Sequence, residues 1–154
     1  MINEEKTLCF TGHRRINKGK LKNLPIEIEK SILLGYDTFL SGGAIGFDQY
    51  AASHVLRLKR KYPHIRLIFV LPCDKLIMSR KWSAFDKNSF LFLLNKSDDI
   101  IYISSDYYDG CMKHRNEKLV ELSSYCIAYL QNERSGTGQT VRLMQKKEGI
   151  IVFL

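Results

Sequence analysis

No stretch of this sequence stays apolar over the roughly 18 consecutive residues that a membrane-spanning helix needs. The first residues, Met-Ile-Asn-Glu-Glu-Lys, are too acidic and polar to open a signal peptide. The first absence argues against a helical membrane protein, and the second removes the usual sign of export. We therefore expect a cytoplasmic protein with no membrane partner.

The sequence also lacks the cysteine patterns of a disulfide scaffold or a zinc site. Its four cysteines, at positions 9, 73, 111 and 126, form no C-x-x-C pair, and no histidine completes a zinc-ligand spacing with them. Three lie in or beside apolar runs, where free cysteine behaves as a small buried hydrophobic residue. We expect inert core cysteines, no metal site and no resident cofactor.

Repeats, linkers and low-complexity segments are absent as well. The 154 residues are 45% apolar and 26% charged, which are ordinary globular values that exclude disorder, collagen and coiled coil. A length of this size fits one domain, residues 1–154. The excess of 24 Lys and Arg over 16 Asp and Glu suits an anionic ligand or nucleic acid, although charge does not specify the fold.

Strand-like apolar runs alternate with helical patterns along almost the whole chain. Strands are predicted over residues 6–11, 37–40, 65–71, 100–104, 125–130 and 150–153. The helices between them are expected to begin near Asn23 as a cap, Phe47, Ser83, Cys111 and Thr137. Parallel strands need crossover helices, so this order predicts a single Rossmann-like α/β domain: a doubly wound, mostly parallel sheet with helices on both faces.

Polar and glycine-rich segments follow four of the predicted strands, at residues 11–15, 41–48, 107–116 and 135–140. Ligands of such sheets bind beyond the carboxyl ends of the strands. Glycines let backbone N–H groups approach a phosphate, and a helix N-terminus adds about half a positive charge. Residues 41–46 and 135–140 have this strand–glycine–helix form, although neither matches the P-loop or dinucleotide fingerprint. Together the loops predict an anion-binding edge.

Several single residues have two interpretations each. Arg115 could form a surface ion pair or bind a phosphate of the ligand. Asp48 could complement a helix dipole or be the acidic group of a hydrolase. His13 is a surface side chain or a general base. Trp82 packs in the core or stacks on a base. The basic run 57–61 is most simply a solvated helix end, and a nucleic-acid patch is the alternative.

These residues, in this order, resemble the SLOG superfamily, the Rossmann-like group that unites the Smf/DprA DNA-processing proteins with the LOG cytokinin-activating hydrolases. The matching blocks are Thr11-Gly12-His13-Arg14, residues 41–48, Gly110–Asn116, and Ser135-Gly136-Thr137 with Thr140-Val141. The sequence is most similar to the YpsA-like branch of bacterial and phage proteins. The resemblance implies a Rossmann-like fold and binding of nucleotides or nucleotide-derived ligands such as ADP-ribose.

The sequence departs from the LOG hydrolase pattern at one informative position. Met112 and Arg115 match the Met-x-x-Arg block of those enzymes. Thr137 matches the threonine of their Gly-Thr-x-x-Glu block, but the glutamate position holds Thr140. Ser135 also stands where the YpsA-like branch usually has glycine. The hydrolase carboxylate is therefore missing, which favours a binding protein over an enzyme.

The function expected from the sequence is binding of a nucleotide-derived small molecule, of AMP or ADP-ribose type. The alternatives are hydrolysis of an N-glycosidic or phosphoester bond in such a ligand, and DprA-like binding of single-stranded DNA, which the +8 charge also suits. Turnover and homo-oligomer formation are left open, and no catalytic residue is assigned. The expected ligand-binding residues are Thr11, Gly12, His13, Arg14, Ser41, Gly42, Gly43, Gly46, Asp48, Tyr107, Met112, Arg115, Asn116, Ser135, Gly136, Thr137 and Thr140.

Overall fold

The computed structural model, which describes residues 2–154, contains one six-stranded sheet in which every neighbouring pair of strands is parallel. The strand order is β4-β3-β2-β1-β5-β6. This confirms the predicted doubly wound fold, and the strand ends differ from the predicted ones by at most two residues. The strands are β1 (Thr7–Gly12), β2 (Thr38–Ser41), β3 (Arg66–Leu71), β4 (Asp99–Tyr102), β5 (Tyr125–Tyr129) and β6 (Ile150–Phe153).

Six helices connect the strands: α1 (Leu24–Leu33), α2 (Phe47–Lys59), α3 (Lys75–Met78), α4 (Ala84–Lys96), α5 (Cys111–Glu121) and α6 (Gly136–Lys146). Five of them follow the predicted order. The sequence did not predict α3, because four residues are too short to show a helical period. Asn23 occupies the N-cap position of α1 as predicted, but its side chain makes no capping hydrogen bond. Two short 3₁₀ turns, Glu4–Lys6 and Lys18–Leu21, were also not predicted.

The helices divide between the two faces of the sheet. The side chains of α1, α2 and α4 pack with Phe10, Phe39 and Phe69 on one face. Those of α5 and α6 pack with Cys9, Cys126 and other strand residues on the opposite face. Because successive strand residues point to opposite faces, both layers bury apolar side chains from the same strands. All four cysteines are buried and none is in a disulfide, as expected.

The chain moves outward from β1 through β2 and β3 to β4, then returns to place β5 beside β1. The direction of winding therefore reverses between β1 and β5. In open α/β sheets this reversal opens a crevice at the carboxyl ends of the strands. Within residues 2–154, no helix is both long enough and apolar enough to cross a membrane.

The loop after β1 packs against the start of α2 at one glycine. Gly46 has φ +96°, and a Cβ built there would lie 2.1 Å from the carbonyl oxygen of Arg14. The next residue, Phe47, donates its N–H to the carbonyl of His13 at 3.0 Å. This contact leaves no room for a side chain at position 46, so it holds the two loops in a fixed relation.

We predict that Gly46→Ala destabilises the protein more than Gly110→Ala. Both glycines have positive φ, but a Cβ on Gly110 would meet no atom within 4 Å. The alanine at 110 should lower the free energy of unfolding only through the strain of a left-handed backbone conformation, roughly 1–2 kcal/mol. The alanine at 46 should cost more, because its backbone (φ +96°, ψ −125°) lies outside the left-handed helical region that Gly110 occupies, and because its Cβ would also overlap backbone, which adds about 1–3 kcal/mol. Urea unfolding of both variants measures the difference, and equal losses would contradict the proposed contact.

Candidate functional site

The parallel sheet brings the four polar loops to one edge, because all of its strands end on the same side. Within this edge most of the predicted residues fall into three groups. Arg14, Tyr107 and Met112 line an open cleft. Ser41, Gly42, Gly43, Asp48, Arg115 and Asn116 are buried beside it. The third group lies at the loop after β5 and the start of α6: His13 accepts a hydrogen bond from that loop, and the others cap or begin the helix, namely Ser135, Gly136, Thr137 and Thr140.

Arg115 ties α5 to the loop after β2. It is only 5% exposed, and its Nη1 donates to the carbonyl of Gly42 at 2.5 Å while its Nε donates to Asn116 Oδ1 at 2.9 Å. A Cβ on Gly42 would lie 2.6 Å from that Nη1 and 2.9 Å from Asp48 Oδ2. A side chain at position 42 would therefore require the end of the Arg115 or the Asp48 side chain to shift. Arg115 belongs to none of the ion pairs described within residues 2–154, so the surface-pair interpretation is wrong.

Asp48 is a buried carboxyl group near the start of α2. Its Oδ2 accepts from the backbone N–H of Ala44 at 3.3 Å, and its carbonyl accepts from Ser41 Oγ at 2.9 Å. Burial raises the pKa of Asp48 to about 6, although the positive charge of Arg115 and the Ala44 N–H both oppose the rise. The carboxyl group therefore changes charge close to neutral pH.

The Arg115 and Asp48 side chains are almost completely buried, with 5% and 6% of their residue surface exposed. Across the described part of the chain, the fully buried side-chain nitrogen and oxygen atoms that lack a hydrogen-bond partner are His54 Nε2 and Ser124 Oγ. The Nη2 of Arg115 and the Oδ1 of Asp48 make no described hydrogen bond and are not among those buried atoms. These two atoms are therefore the ones left to bond a small polar ligand or water at this edge.

His13 bridges the crevice between β1 and β5. Its Nε2 accepts from the backbone N–H of Gln131 at 2.7 Å and of Asn132 at 3.3 Å, and its ring lies against Tyr129. An imidazole that accepts at Nε2 is neutral and carries its proton on Nδ1. Partial burial lowers the pKa of His13, which favours this state. His13 is thus neither an isolated surface side chain nor a free base.

The start of α6 is closed by its own residues. Ser135 Oγ accepts from the Gly138 N–H at 3.1 Å and donates to the carbonyl of Asn132 at 2.5 Å. Thr140 is fully buried and donates to the carbonyl of Gly136 at 3.1 Å. The N–H groups of Gly136 and Thr137 make no hydrogen bond described in the structure, so they are the donors left for a ligand at this end.

The open cleft has a volume of about 700 Å³ and lies beyond the carboxyl ends of β1, β2, β3 and β4. Besides predicted residues, it is lined by Arg80, Lys81 and Trp82, which lie between α3 and α4. Sequence analysis considered Trp82 alone and missed its two cationic neighbours. The available signal was a pair of adjacent cations beside the only tryptophan, between the strand predicted over residues 65–71 and the helix predicted to begin near Ser83.

The remaining predicted residues contribute to packing at the edge. Thr11 and Gly12 are the last residues of β1, and the ring of Phe47 occupies the space where a Gly12 Cβ would lie. Gly46 forms the tight contact with Arg14. Among residues 2–154, no group of three or more His, Cys, Asp or Glu side chains is placed to hold a metal ion.

The strand order and the polar carboxyl edge define a Rossmann-like α/β protein. Residues 9–149 match the sequence profile of the YspA SLOG family (YpsA), and the chain belongs to this family. The resemblance seen in the sequence is confirmed.

Two bacterial proteins illustrate the sequence similarity. The SPbeta prophage-derived protein YoqJ of Bacillus subtilis strain 168 is 30% identical over 120 residues, which cover 70% of this chain and 69% of YoqJ. A UPF0398 protein of Halalkalibacterium halodurans is 27% identical over 128 residues, which cover 82% of this chain and 66% of the relative. This chain therefore spans about two thirds of the length of both relatives.

Two solved structures have a similar fold. DNA processing protein A from Helicobacter pylori, which has a single-stranded DNA binding mode, matches with a TM-score of 0.69 at 19% identity. That match covers 96% of this chain and 64% of the other. DNA processing protein A from Streptococcus pneumoniae matches with a TM-score of 0.72 at 16% identity, over 97% of this chain and 50% of the other.

We predict that Asp48→Asn changes how stability depends on pH. The pKa of the Asp48 carboxyl rises from an ordinary value to about 6 on folding, so below about pH 4 the group is protonated in both states and its burial costs no stability through charge. As pH rises from about 4 through 6 the free energy of unfolding falls, by roughly 3 kcal/mol for a shift of this size. The asparagine variant lacks this loss, because its amide stays neutral.

Urea unfolding of the wild type and the Asp48→Asn variant at several pH values between about 4 and 7 measures this difference. The variant should gain stability relative to the wild type as pH rises. A constant difference over the whole range would show that Asp48 ionises normally in the folded protein.

Proposed function

We propose that this protein binds a nucleotide or nucleotide-derived ligand of AMP or ADP-ribose type in the open cleft. The supporting observation is the combination of three cations with two aromatic side chains around one cavity. Arg14, Arg80 and Lys81 line the cleft together with Trp82 and Tyr107. None of the three cations takes part in an ion pair described for residues 2–154.

The size and chemistry of the cleft suit such a ligand. Its volume of about 700 Å³ falls within the usual range of small-molecule sites. Guanidinium and ammonium groups bind phosphate, and an aromatic ring offers a face to a base. The Trp82 ring packs against Phe90 with a centroid distance of 5.0 Å, which holds it at the cleft wall. Tyr107 is 61% exposed, so its ring is free to contact a ligand.

Two positions compete for the ligand phosphate. The cleft offers Arg14, Arg80 and Lys81 as donors. The sequence predicts the start of α6, residues 135–138, where the N–H groups of Gly136 and Thr137 are the remaining donors. A long ligand such as ADP-ribose has two phosphates and could use both positions.

Family membership agrees with this proposal at a general level. The chain belongs to the YspA SLOG family, and the similar fold of DNA processing protein A from H. pylori binds single-stranded DNA, a polymer of nucleotides. DNA-type ligands therefore remain the second candidate for the cleft.

We predict that AMP or ADP-ribose binds the wild type and that Arg80→Gln combined with Lys81→Gln weakens it. Each charged hydrogen bond lost should cost roughly 1.5–3 kcal/mol, about tenfold to a hundredfold in affinity. Isothermal titration calorimetry gives the dissociation constants. A matched control, Lys20→Gln combined with Lys22→Gln, removes the same charge from an exposed segment outside the cleft lining.

The variant Gly136→Val separates the two phosphate positions. It should abolish binding if the phosphate lies at the start of α6, and should leave affinity unchanged if the phosphate lies in the cleft alone. If no nucleotide binds the wild type, or if the control pair loses as much affinity as the cleft pair, the cleft is not a nucleotide site.

One observation favours a further candidate function, hydrolysis of the bound ligand. Asp48 has a pKa raised to about 6, which suits a general acid or base near neutral pH, and its Oδ2 contacts the N–H of Ala44 in the cleft wall. Against hydrolysis, the carboxylate expected from the LOG pattern is replaced by Thr140, which is buried and bonded within α6.

We predict negligible release of free base when the wild type is incubated with AMP, measured by chromatography of the products. A threonine hydroxyl cannot replace a carboxylate in stabilising positive charge on the sugar. Thr140→Glu is the converse test, since it restores the hydrolase pattern. Release of adenine by the wild type that disappears in Asp48→Asn would replace the binding function with the hydrolytic one.

A further inference from the structure

A second concave surface lies between α2 and α4, away from the sheet edge. This groove has a volume of about 540 Å³. Its rim carries Arg57, Lys59 and Arg60 at the end of α2, and Lys96 at the end of α4. Its lining shares no residue with the open cleft.

The positive charge of the groove exceeds what the helix ends explain. Lys59 pairs with Asp98 at 2.5 Å, while Arg57, Arg60 and Lys96 take part in no ion pair described for residues 2–154. A helix C-terminus carries about half a negative charge, so two helix ends account for roughly one cation. About two positive charges therefore remain without a partner on a shared surface.

An exposed aromatic ring lies among these cations. Phe92 is 59% exposed, and the Lys96 ammonium lies 5.8 Å from the centre of its ring. Leu56 and Leu93 also line the groove and are largely covered by the core. The surface thus joins apolar and aromatic contacts to a cationic rim, and a ligand that matches it has both aromatic rings and regular negative charges.

We propose that the groove between α2 and α4 binds single-stranded nucleic acid, with phosphates on Arg57, Arg60 and Lys96 and a base stacked on Phe92. Cationic grooves with exposed aromatic rings are the usual means of holding single strands without sequence preference. A duplex hides the faces of its bases, so the Phe92 ring favours an unpaired strand. The sequence run 57–61 alone could not show this, because Phe92 and Lys96 come from another helix.

Fluorescence anisotropy with a labelled oligo-dT of about 20 nucleotides tests the proposal. The triple variant Arg57→Gln, Arg60→Gln, Lys96→Gln should bind at least about tenfold more weakly at low salt. The slope of log affinity against log salt should fall by about 2, since each lost phosphate contact removes roughly 0.7. A matched triple, Lys20→Gln, Lys22→Gln, Lys146→Gln, removes the same charge from exposed positions outside the groove and should bind like the wild type.

The role of stacking is tested by Phe92→Ala, which should weaken binding by about tenfold with the salt slope unchanged, while Phe92→Tyr should retain affinity. All the altered positions are exposed, and the partly buried Lys59 is left unchanged. Thermal unfolding checks that the variants fold.

Four outcomes would each overturn the proposal. The first is that the wild type does not bind the oligonucleotide at low salt, and the second is that the matched triple loses as much affinity as the groove triple. The third is that only Arg80→Gln with Lys81→Gln abolishes oligonucleotide binding, which would place the strand in the cleft. The fourth is that the groove variants lose binding to anionic phosphatidylserine vesicles and not to the oligonucleotide, which would make the groove a lipid-binding surface.

Discussion

The guanidinium of Arg115 organises the carboxyl edge of this sheet. It sits at the start of α5 and reaches the carbonyl of Gly42 in the loop after β2, 73 positions away in sequence. Since α5 and β2 have no direct covalent connection at this edge, that hydrogen bond helps to hold their relative position, while a second one, to Asn116 on the same helix, orients the Arg115 side chain. The glycine at 42 lets this arrangement form without displacement, because a Cβ there would overlap the ends of the Arg115 and Asp48 side chains as they stand.

The same arrangement places two opposite charges in a nearly dry environment. Burial lowers the pKa of Arg115 and raises that of Asp48, and the attraction between them only partly offsets both changes. Their mutual attraction is weaker than that of a contact pair, because no ion pair closer than 4 Å joins them. The edge therefore contains a buried carboxyl group whose pKa of about 6 lets it exchange a proton near neutral pH.

The order and type of the main elements could be predicted from the sequence, because apolar residues repeat with one period in strands and another in helices. The helix α3 could not, because it is a single turn after Pro72, Cys73 and Asp74. The carboxyl edge was predicted from glycine-rich loops, so Arg80 and Lys81, which follow β3 in a segment without glycine, were not included. The burial of Arg115 depends on a distant loop, so no local pattern could distinguish a structural cation from one that faces solvent.

The close approach of Gly46 to Arg14 has a further consequence for recognition. Ordering the backbone of one residue costs roughly 1–2 kcal/mol of conformational entropy. The backbone of Arg14 already lies fixed against α2, so a ligand that contacts its guanidinium need restrict only the side chain. One wall of the cleft is thus preorganised before a ligand binds. A contact made there costs less conformational entropy than the same contact made by a flexible loop, so more of its interaction energy contributes to affinity.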